Sequence, residues 1–231
     1  LAASRGNVDV DIPYSNVYAV GNLINNLPEN SNLHLSILNS IRLSQYYELP
    51  KGTKLYANVG TDGIDGCMST FFGQAAVCDK ENFLIIGDLS FFYDMSSLRI
   101  KHNRRNCHIM LVNNHGGNEF YMQQLMPTTP QGLGASHENS AKAWAESVGF
   151  TYLTASNKDE YDNCIKQFVK KQYEAPILFE VFTDQMIDRE TVFALKGSYR
   201  KQYDDMAQIK DAVKSVIGES TVKNIKKFFG K

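Results

Sequence analysis

The sequence predicts an α/β domain, a mostly parallel central sheet between two layers of helix (α/β/α), on three observations. Stretches with helical spacing alternate with strand-like runs along most of the chain. Two of those runs, Phe83-Leu84-Ile85-Ile86 and Ile109-Met110-Leu111-Val112, are continuously apolar, as strands buried on both faces are. The 231 residues, 43% of them hydrophobic, suffice for one sizeable core.

The elements follow in order. Val17, Val20, Leu23 and Ile24 fall on one helical face, and Leu27-Pro28 ends that helix. Leu33 to Leu38 is a short apolar run, after which Asn39-Ser40 can cap a helix reaching Tyr47. Lys54 to Asn58 reads as a strand, Gly66 to Val77 as a small-residue helix, and Phe83 to Ile86 as a strand. Ser90 to His102 is helical, with Phe91, Met95 and Leu98 spaced to face a core. The strand Ile109 to Val112 is followed by a loop rich in Pro and Gly, Pro127 to Gly134. Ser140 to Val148 makes a helix, Thr151 to Thr154 a strand, Asp159 to Lys171 a helix, and Ile177 to Phe182 the last strand. This divides the chain into a sheet-bearing domain over residues 1–183 and a helical extension over 184–231 packed on the same domain, amphipathic from Met206 to Phe229.

A formal net charge of −1 leaves no electrostatic footprint for nucleic acid or an anionic membrane. The one basic cluster, Arg99, Lys101, Arg104 and Arg105, reads as a solvated helix end. No stretch approaches the roughly 20 apolar residues that span a bilayer, and the N-terminus lacks a basic-then-apolar signal pattern. Cys67, Cys78, Cys107 and Cys164 form neither a CxxC pair nor a zinc-like spacing with histidine, which points to a reducing, cytoplasmic setting. The chain opens on Leu1, and its first residues lack helical periodicity, as expected of a piece of something longer or of a processed chain.

Chemistry concentrates at two strand ends. Phe83 to Ile86 runs into Gly87-Asp88-Leu89-Ser90 and a helix; Ile109 to Val112 runs into Asn113-Asn114-His115-Gly116-Gly117. Adjacent strands of a βαβ unit bring both ends to one edge of the sheet, where ligands of such sheets bind. One helix and one strand separate Asp88 from Asn113, the length needed to return there. Magnesium demands near-octahedral oxygen ligation and usually keeps phosphate oxygens among its ligands. Asp88 supplies charge, Asn114 a neutral side-chain oxygen, and Gly116 a backbone carbonyl in a turn that a bulkier residue would block. The helix start at Leu89-Ser90 offers free amides and a positive dipole end to phosphate. Singly, a Gly-Asp at a strand end is ordinarily a turn and an Asn-Asn pair a loop; the combination at this spacing is specific.

Gly87-Asp88 and, one helix and one strand later, Asn113-Asn114 resemble the fingerprint of thiamine-diphosphate-dependent enzymes. The chain is similar in particular to the menaquinone-pathway carboligases of that family. Tyr93-Asp94, Gly116-Gly117, the run Gly60-Thr61-Asp62-Gly63-Ile64-Asp65-Gly66 with Ser69-Thr70, and Asn39-Ser40 carry that likeness. It covers Leu33 to Phe120 and continues more loosely to Phe182. The resemblance implies the thiamine-diphosphate-binding fold, thiamine diphosphate and Mg²⁺ as cofactors, and metal ligation by Asp88, Asn114 and Gly116. It implies that Asn39, Ser40 and Ser90 contact the diphosphate, with Gly87, Leu89 and Gly117 beside them. Gly63, with Asp65 nearby, would offer backbone contacts to the aminopyrimidine, and Ile64 would be the apolar wedge that holds the cofactor bent. The implied activity is that of a lyase or carboligase acting on a 2-keto acid: decarboxylation to an enamine, then protonation or addition to an acceptor. The family's catalytic glutamate stands on a separate pyrimidine-binding domain, which nothing in this chain resembles. It would come from the same protein or a partner subunit, in a homodimer or larger assembly, and this chain alone would be inactive.

Three positions depart from the carboligase pattern. Val59 follows Asn58 where that pattern has an arginine, and a second arginine would fall at Ser44, with Arg42 close by. His115 replaces a third asparagine. Valine cannot replace a paired guanidinium–carboxylate contact, so a relative with a different acceptor is expected. His115 invites an acid–base role, although a loop histidine bonded to phosphate or backbone is the plainer reading. Glu119 could face substrate or solvent, and His34, His102, His108 and His137 read as structural or exposed. Three rival readings are a non-catalytic assembly or regulatory domain that keeps the fold, a fragment of a true menaquinone-pathway carboligase, and an unrelated nucleotide-binding domain. The intact Asp88, Asn114 and Gly116 set argues against the first, and the last would need a glycine-rich phosphate loop after its first strand, which is missing.

Overall fold

The computed structural model describes residues 12–60, 62–101, 105–119, 133–171 and 174–200. The readings for residues 1–11, Thr61, His102, Arg104, most of the Pro127 loop and the helix from Met206 onward lie outside the described residues. In chain order the elements are α1 (Asn16–Asn26), β1 (Asn32–Leu35), α2 (Asn39–Ser44), β2 (Lys54–Ala57), α3 (Cys67–Ala75), β3 (Asn82–Gly87), α4 (Asp88–Tyr93), β4 (Cys107–Asn113), α5 (Lys142–Ser147), β5 (Thr151–Ala155), α6 (Lys158–Phe168) and β6 (Ile177–Phe182). The strands form one six-stranded, wholly parallel sheet in the order β2-β1-β3-β4-β6-β5.

The continuous apolar runs have a direct cause. Successive strand residues point to opposite faces, and both faces are covered. Leu84, Ile86, Ile109, Leu111 and Leu178 pack with Met68, Phe71 and Phe72 of α3, Phe91 of α4 and Ala145 of α5. The alternate residues face the other way, where Phe83 meets Phe168 of α6 edge-on and Phe179 packs on Tyr161 and Phe168. Each such side chain contributes about 1.5–3 kcal/mol when fully buried. On α1, Val17, Val20, Leu23 and Ile24 are all buried, as their spacing predicts. Asn157 caps α6 by accepting from the Glu160 amide, while Glu160 Oε2 accepts from the Ser156 amide.

One buried polar cluster ties the sheet to the site edge. Glu180, wholly buried in β6, accepts from Asn113 Nδ2 (2.7 Å), Ser140 Oγ (2.7 Å), the Ala141 amide (3.1 Å) and the Tyr152 hydroxyl (2.7 Å). A buried carboxylate is tolerated when its lone pairs are filled in this way.

Two local readings need correction. The helix expected from Ser90 to His102 is two pieces, α4 and a 3₁₀ turn at Met95–Arg99. They part at Asp94, whose carboxylate leaves the helix to accept from the Ser69 amide and hydroxyl of α3 (2.6 and 2.5 Å). Nor do Asn39 and Ser40 cap α2. Leu38 precedes the helix in a left-handed conformation (φ 63°) without a side-chain cap, and Asn39 is the first helical residue.

Chain order fixes where a ligand crevice opens. The chain moves outward from β1 to β2, crosses back over β1 to β3, and proceeds the other way to β4. Strand order therefore reverses between β1 and β3, and the carboxyl ends of strands at such a switch point leave a crevice. The compact unit built around this sheet runs to Thr191 and ends in helical residues 185–191. Residues 192–200, the described part of a second unit, are helical.

Candidate functional site

A cavity of about 270 Å³ opens at this switch point, lined by the segments that leave β1, β3 and β4. Of the twelve cofactor-binding residues expected from the sequence, Asn39, Ser40, Ile64, Gly87, Asp88, Leu89, Ser90, Asn114, Gly116 and Gly117 line it. Gly63 and Asp65 do not; both are exposed, and Asp65 Oδ1 accepts from the Gly66 amide. Register brings the two key segments together: Gly87 pairs with Val112, so Asp88 and Asn113 leave the sheet side by side.

Asp88 begins α4 and is buried. Its Oδ1 accepts from the Leu89 amide (2.6 Å), and its Oδ2 from the amides of Asn114 (3.1 Å) and Gly116 (2.9 Å). The carboxylate therefore shapes the turn after β4 as well as standing beside it. Burial pushes the Asp88 carboxyl above the ordinary aspartate range, while the Gly116 and Leu89 amides, His137 and the Asn114 amide pull it down.

The turn depends on glycine at one position. Gly116 has φ 148°, and a Cβ there would lie 2.7 Å from the Gly134 carbonyl oxygen. Its own carbonyl accepts from the Asn118 amide (2.9 Å), which leaves a second lone pair for another partner. Asn113 is fully buried and turned inward, donating to Glu180 and the Asn139 carbonyl and accepting from the His115 amide. Of the two asparagines only Asn114 lines the cavity. His115 has φ 65°, a conformation that His and Asn enter more readily than most residues, so histidine fits where an asparagine is expected. It lies outside the cavity lining, bonds the His137 carbonyl through Nδ1 (3.2 Å) and stacks on Phe182. Its contacts follow the plainer of the two readings, a loop histidine bonded to backbone.

Around this frame, Ser90 donates to the Ile64 carbonyl and so ties the segment bearing the apolar wedge to the start of α4. Ser36 and Ser40 share a hydrogen bond (2.9 Å), and Ser44 donates to the Ser40 carbonyl (2.7 Å). Glu119 lines the cavity and pairs with Arg42 of α2. Val59 is exposed, and Asn58 Nδ2 is turned toward Thr70 Oγ1 and the Gly66 carbonyl.

Two residues at the site were not legible in the sequence. His137 is no isolated histidine. Its Nδ1 accepts from the Asn139 amide, so the proton sits on Nε2, which stands 3.4 Å from Asp88 Oδ2 and makes no hydrogen bond of its own. Asp188, beyond the boundary expected after residue 183, is wholly buried. It accepts from the Asn16 amide (2.7 Å), Asn114 Nδ2 (3.1 Å), Asn118 Nδ2 (3.3 Å) and Thr183 Oγ1 (2.8 Å). Burial pushes its carboxyl up to about 6 against the pull of the Asn16 amide, Asn114 and Thr183.

Among the residues lining the cavity, Asp88 has a carboxylate, Asn114 a carboxamide and Gly116 a backbone carbonyl, a hard oxygen set that suits Mg²⁺. Among the described residues no three His, Cys, Asp or Glu side chains gather as metal ligands. No described helix is long and apolar enough to cross a membrane.

The wholly parallel α/β sheet with its switch-point crevice is consistent with a thiamine-diphosphate-binding domain, the class that the Gly87-Asp88 and Asn113-Asn114 fingerprint resembles. Comparison with known proteins narrows this. The chain is 40% identical over 182 residues to the 2-succinyl-5-enolpyruvyl-6-hydroxy-3-cyclohexene-1-carboxylate synthase of Bacteroides fragilis, covering 77% of this chain and 33% of that protein. It is 41% identical over 179 residues to the synthase of Bacteroides thetaiotaomicron, covering 76% and 32%, and 38% identical over 195 residues to that of Phocaeicola vulgatus, covering 81% and 35%. No family model matches the chain. Over the matched stretch the chain is homologous to these synthases, and it spans about a third of their length.

Proposed function

We propose that this chain is the diphosphate-and-magnesium-binding domain of a thiamine-diphosphate-dependent 2-keto acid decarboxylase or carboligase. The observation that carries the reading is the convergence of Asp88, Asn114 and Gly116 on one cavity at the switch point. Asp88, Asn114 Oδ1 and the Gly116 carbonyl would hold Mg²⁺. The amides opening α2 and α4, with Asn39, Ser40 and Ser90, would meet the diphosphate. The cofactor supplies the nucleophilic carbon and electron sink for cleaving the bond to a keto acid's carboxylate. This chain's residues bind and orient: Asp88 fixes the turn that carries Gly116, and Ile64, its carbonyl held by Ser90, shapes the apolar wall. A pyrimidine-binding domain, from the same protein or a partner subunit, would supply the glutamate that activates the cofactor.

Calorimetric titration of the assembly containing both domains with thiamine diphosphate and Mg²⁺ tests this. Saturable, metal-dependent binding is expected, and Asp88→Ala is expected to abolish it. Asp88→Ala binding as tightly as the parent would remove the metal assignment.

A second reading, the menaquinone-pathway carboligase proper, is favoured by the 38–41% identity to synthases of that name. Against it stand Val59 and Ser44 in place of two arginines, with Arg42 engaged by Glu119. An assay for the cyclohexene carboxylate product that the relatives' name specifies separates the two readings.

A further inference from the structure

A carboxamide presents two ends of nearly equal shape and opposite polarity, and a site that needs its oxygen must be built to keep the nitrogen away. Asn114 and Asn118 are two of the four asparagines that line the cavity. Both give their Nδ2 to the same atom, Oδ2 of Asp188, at 3.1 and 3.3 Å. That oxygen also accepts from Thr183 Oγ1 (2.8 Å), and Oδ1 is held by the Asn16 amide (2.7 Å), so the carboxylate is fixed at both ends. Asp188 is wholly buried and lies outside the cavity lining. The Oδ1 of Asn118 is buried without a hydrogen-bond partner. An ionised carboxylate only accepts, so it selects the NH₂ end of both carboxamides and leaves their oxygens for something else.

We infer that Asp188 is a positioning residue that, by taking the Nδ2 of Asn114 and bracing the same contact with Asn118, keeps the Asn114 carbonyl oxygen for the cavity as a metal ligand. The inference rests on the magnesium–diphosphate reading above. Asparagine at position 188 is nearly the same size but can donate as well as accept, so it no longer dictates which end of either carboxamide faces it. Loss of such an outer partner of a metal ligand typically costs 10–100-fold in metal affinity.

The test uses the assembly containing both domains, with thiamine diphosphate binding followed by calorimetry across a Mg²⁺ series, and the thermal midpoint of the metal-free protein measured alongside. In Asp188→Asn the half-saturating Mg²⁺ concentration should rise about tenfold or more, with the metal-free midpoint near that of the parent. A purely structural role would move the midpoint and leave the Mg²⁺ dependence alone. Half-saturation equal to the parent's overturns the inference while leaving the cofactor reading in place. A parent protein that binds no thiamine diphosphate with Mg²⁺ overturns both. Should Asp188→Asn not fold, Thr183→Val strips one hydrogen bond from the same oxygen and keeps the charge. It should raise the half-saturating Mg²⁺ concentration a few-fold, and no change there overturns the inference.

Discussion

Gly116 concentrates three demands on one residue. Its amide bonds Asp88, its carbonyl accepts from Asn118, and its α-carbon sits against the Gly134 carbonyl in a backbone conformation that side chains disfavour. A methyl group there meets backbone at 2.7 Å rather than a flexible side chain, so the turn itself must move. Gly116→Ala should therefore destabilise the domain by about 1–3 kcal/mol, the usual cost of a strained backbone position. Because Asp88 is bonded to the same turn, the substitution should also weaken thiamine diphosphate binding. Urea unfolding reads the first effect and calorimetry the second; parental values in both would mean that this turn tolerates a side chain and is not a fixed part of the site.

At the scale of elements, strands β3, β4 and β6 were legible because burial on both faces leaves an unbroken apolar run, and the meeting of Asp88 and Asn114 was legible because one βαβ return brings them to one edge. Contacts made through the third dimension were not. Asp94 breaks its helix to reach Ser69 on α3, and Asp188 meets Asn114 across 74 residues of sequence. Nothing local to either residue announces its partner. The partners of His34 are a similar case: read from the sequence only as structural or exposed, the residue lies buried in β1, bonded to Gln74 (2.9 Å) and stacked on Tyr56. Burial lowers its pKa, with the Gln74 bond pulling the other way. The folded chain thus prefers the neutral ring while the unfolded chain takes up a proton near the ordinary value. Its contribution is fully present above about pH 6.5 and is lost as the pH falls below that. Unfolding by urea from about pH 7.5 to about pH 5.5 should show the parent losing more stability than His34→Gln, and equal losses would mean that the imidazole is not held neutral.

For the whole molecule, a binding site and a structural cap differ in how they answer to a ligand, even when both alter the thermal midpoint. A ligand that binds only the folded state adds RT ln(1 + [L]/Kd), about 2.7 kcal/mol at a hundredfold excess over Kd. In the assembly with its pyrimidine-binding domain, thiamine diphosphate with Mg²⁺ should raise the midpoint, and Asp88→Ala should erase that rise. Asp88 also accepts from three backbone amides, those of Leu89, Asn114 and Gly116, and its removal leaves them without that acceptor. The ligand-free midpoint of Asp88→Ala should therefore fall as well, and the rise is read from each variant's own ligand-free midpoint. Asn157→Ala, which removes the α6 cap outside the cavity lining, should touch only the ligand-free midpoint. It should lower the ligand-free midpoint by the equivalent of about 1 kcal/mol and keep the full ligand-induced rise. The ligand-induced rise is the discriminating quantity, lost in Asp88→Ala and kept in Asn157→Ala although both variants lower the ligand-free midpoint. A ligand-induced rise that survives Asp88→Ala would place the cofactor's anchor somewhere other than the crevice between β1 and β3.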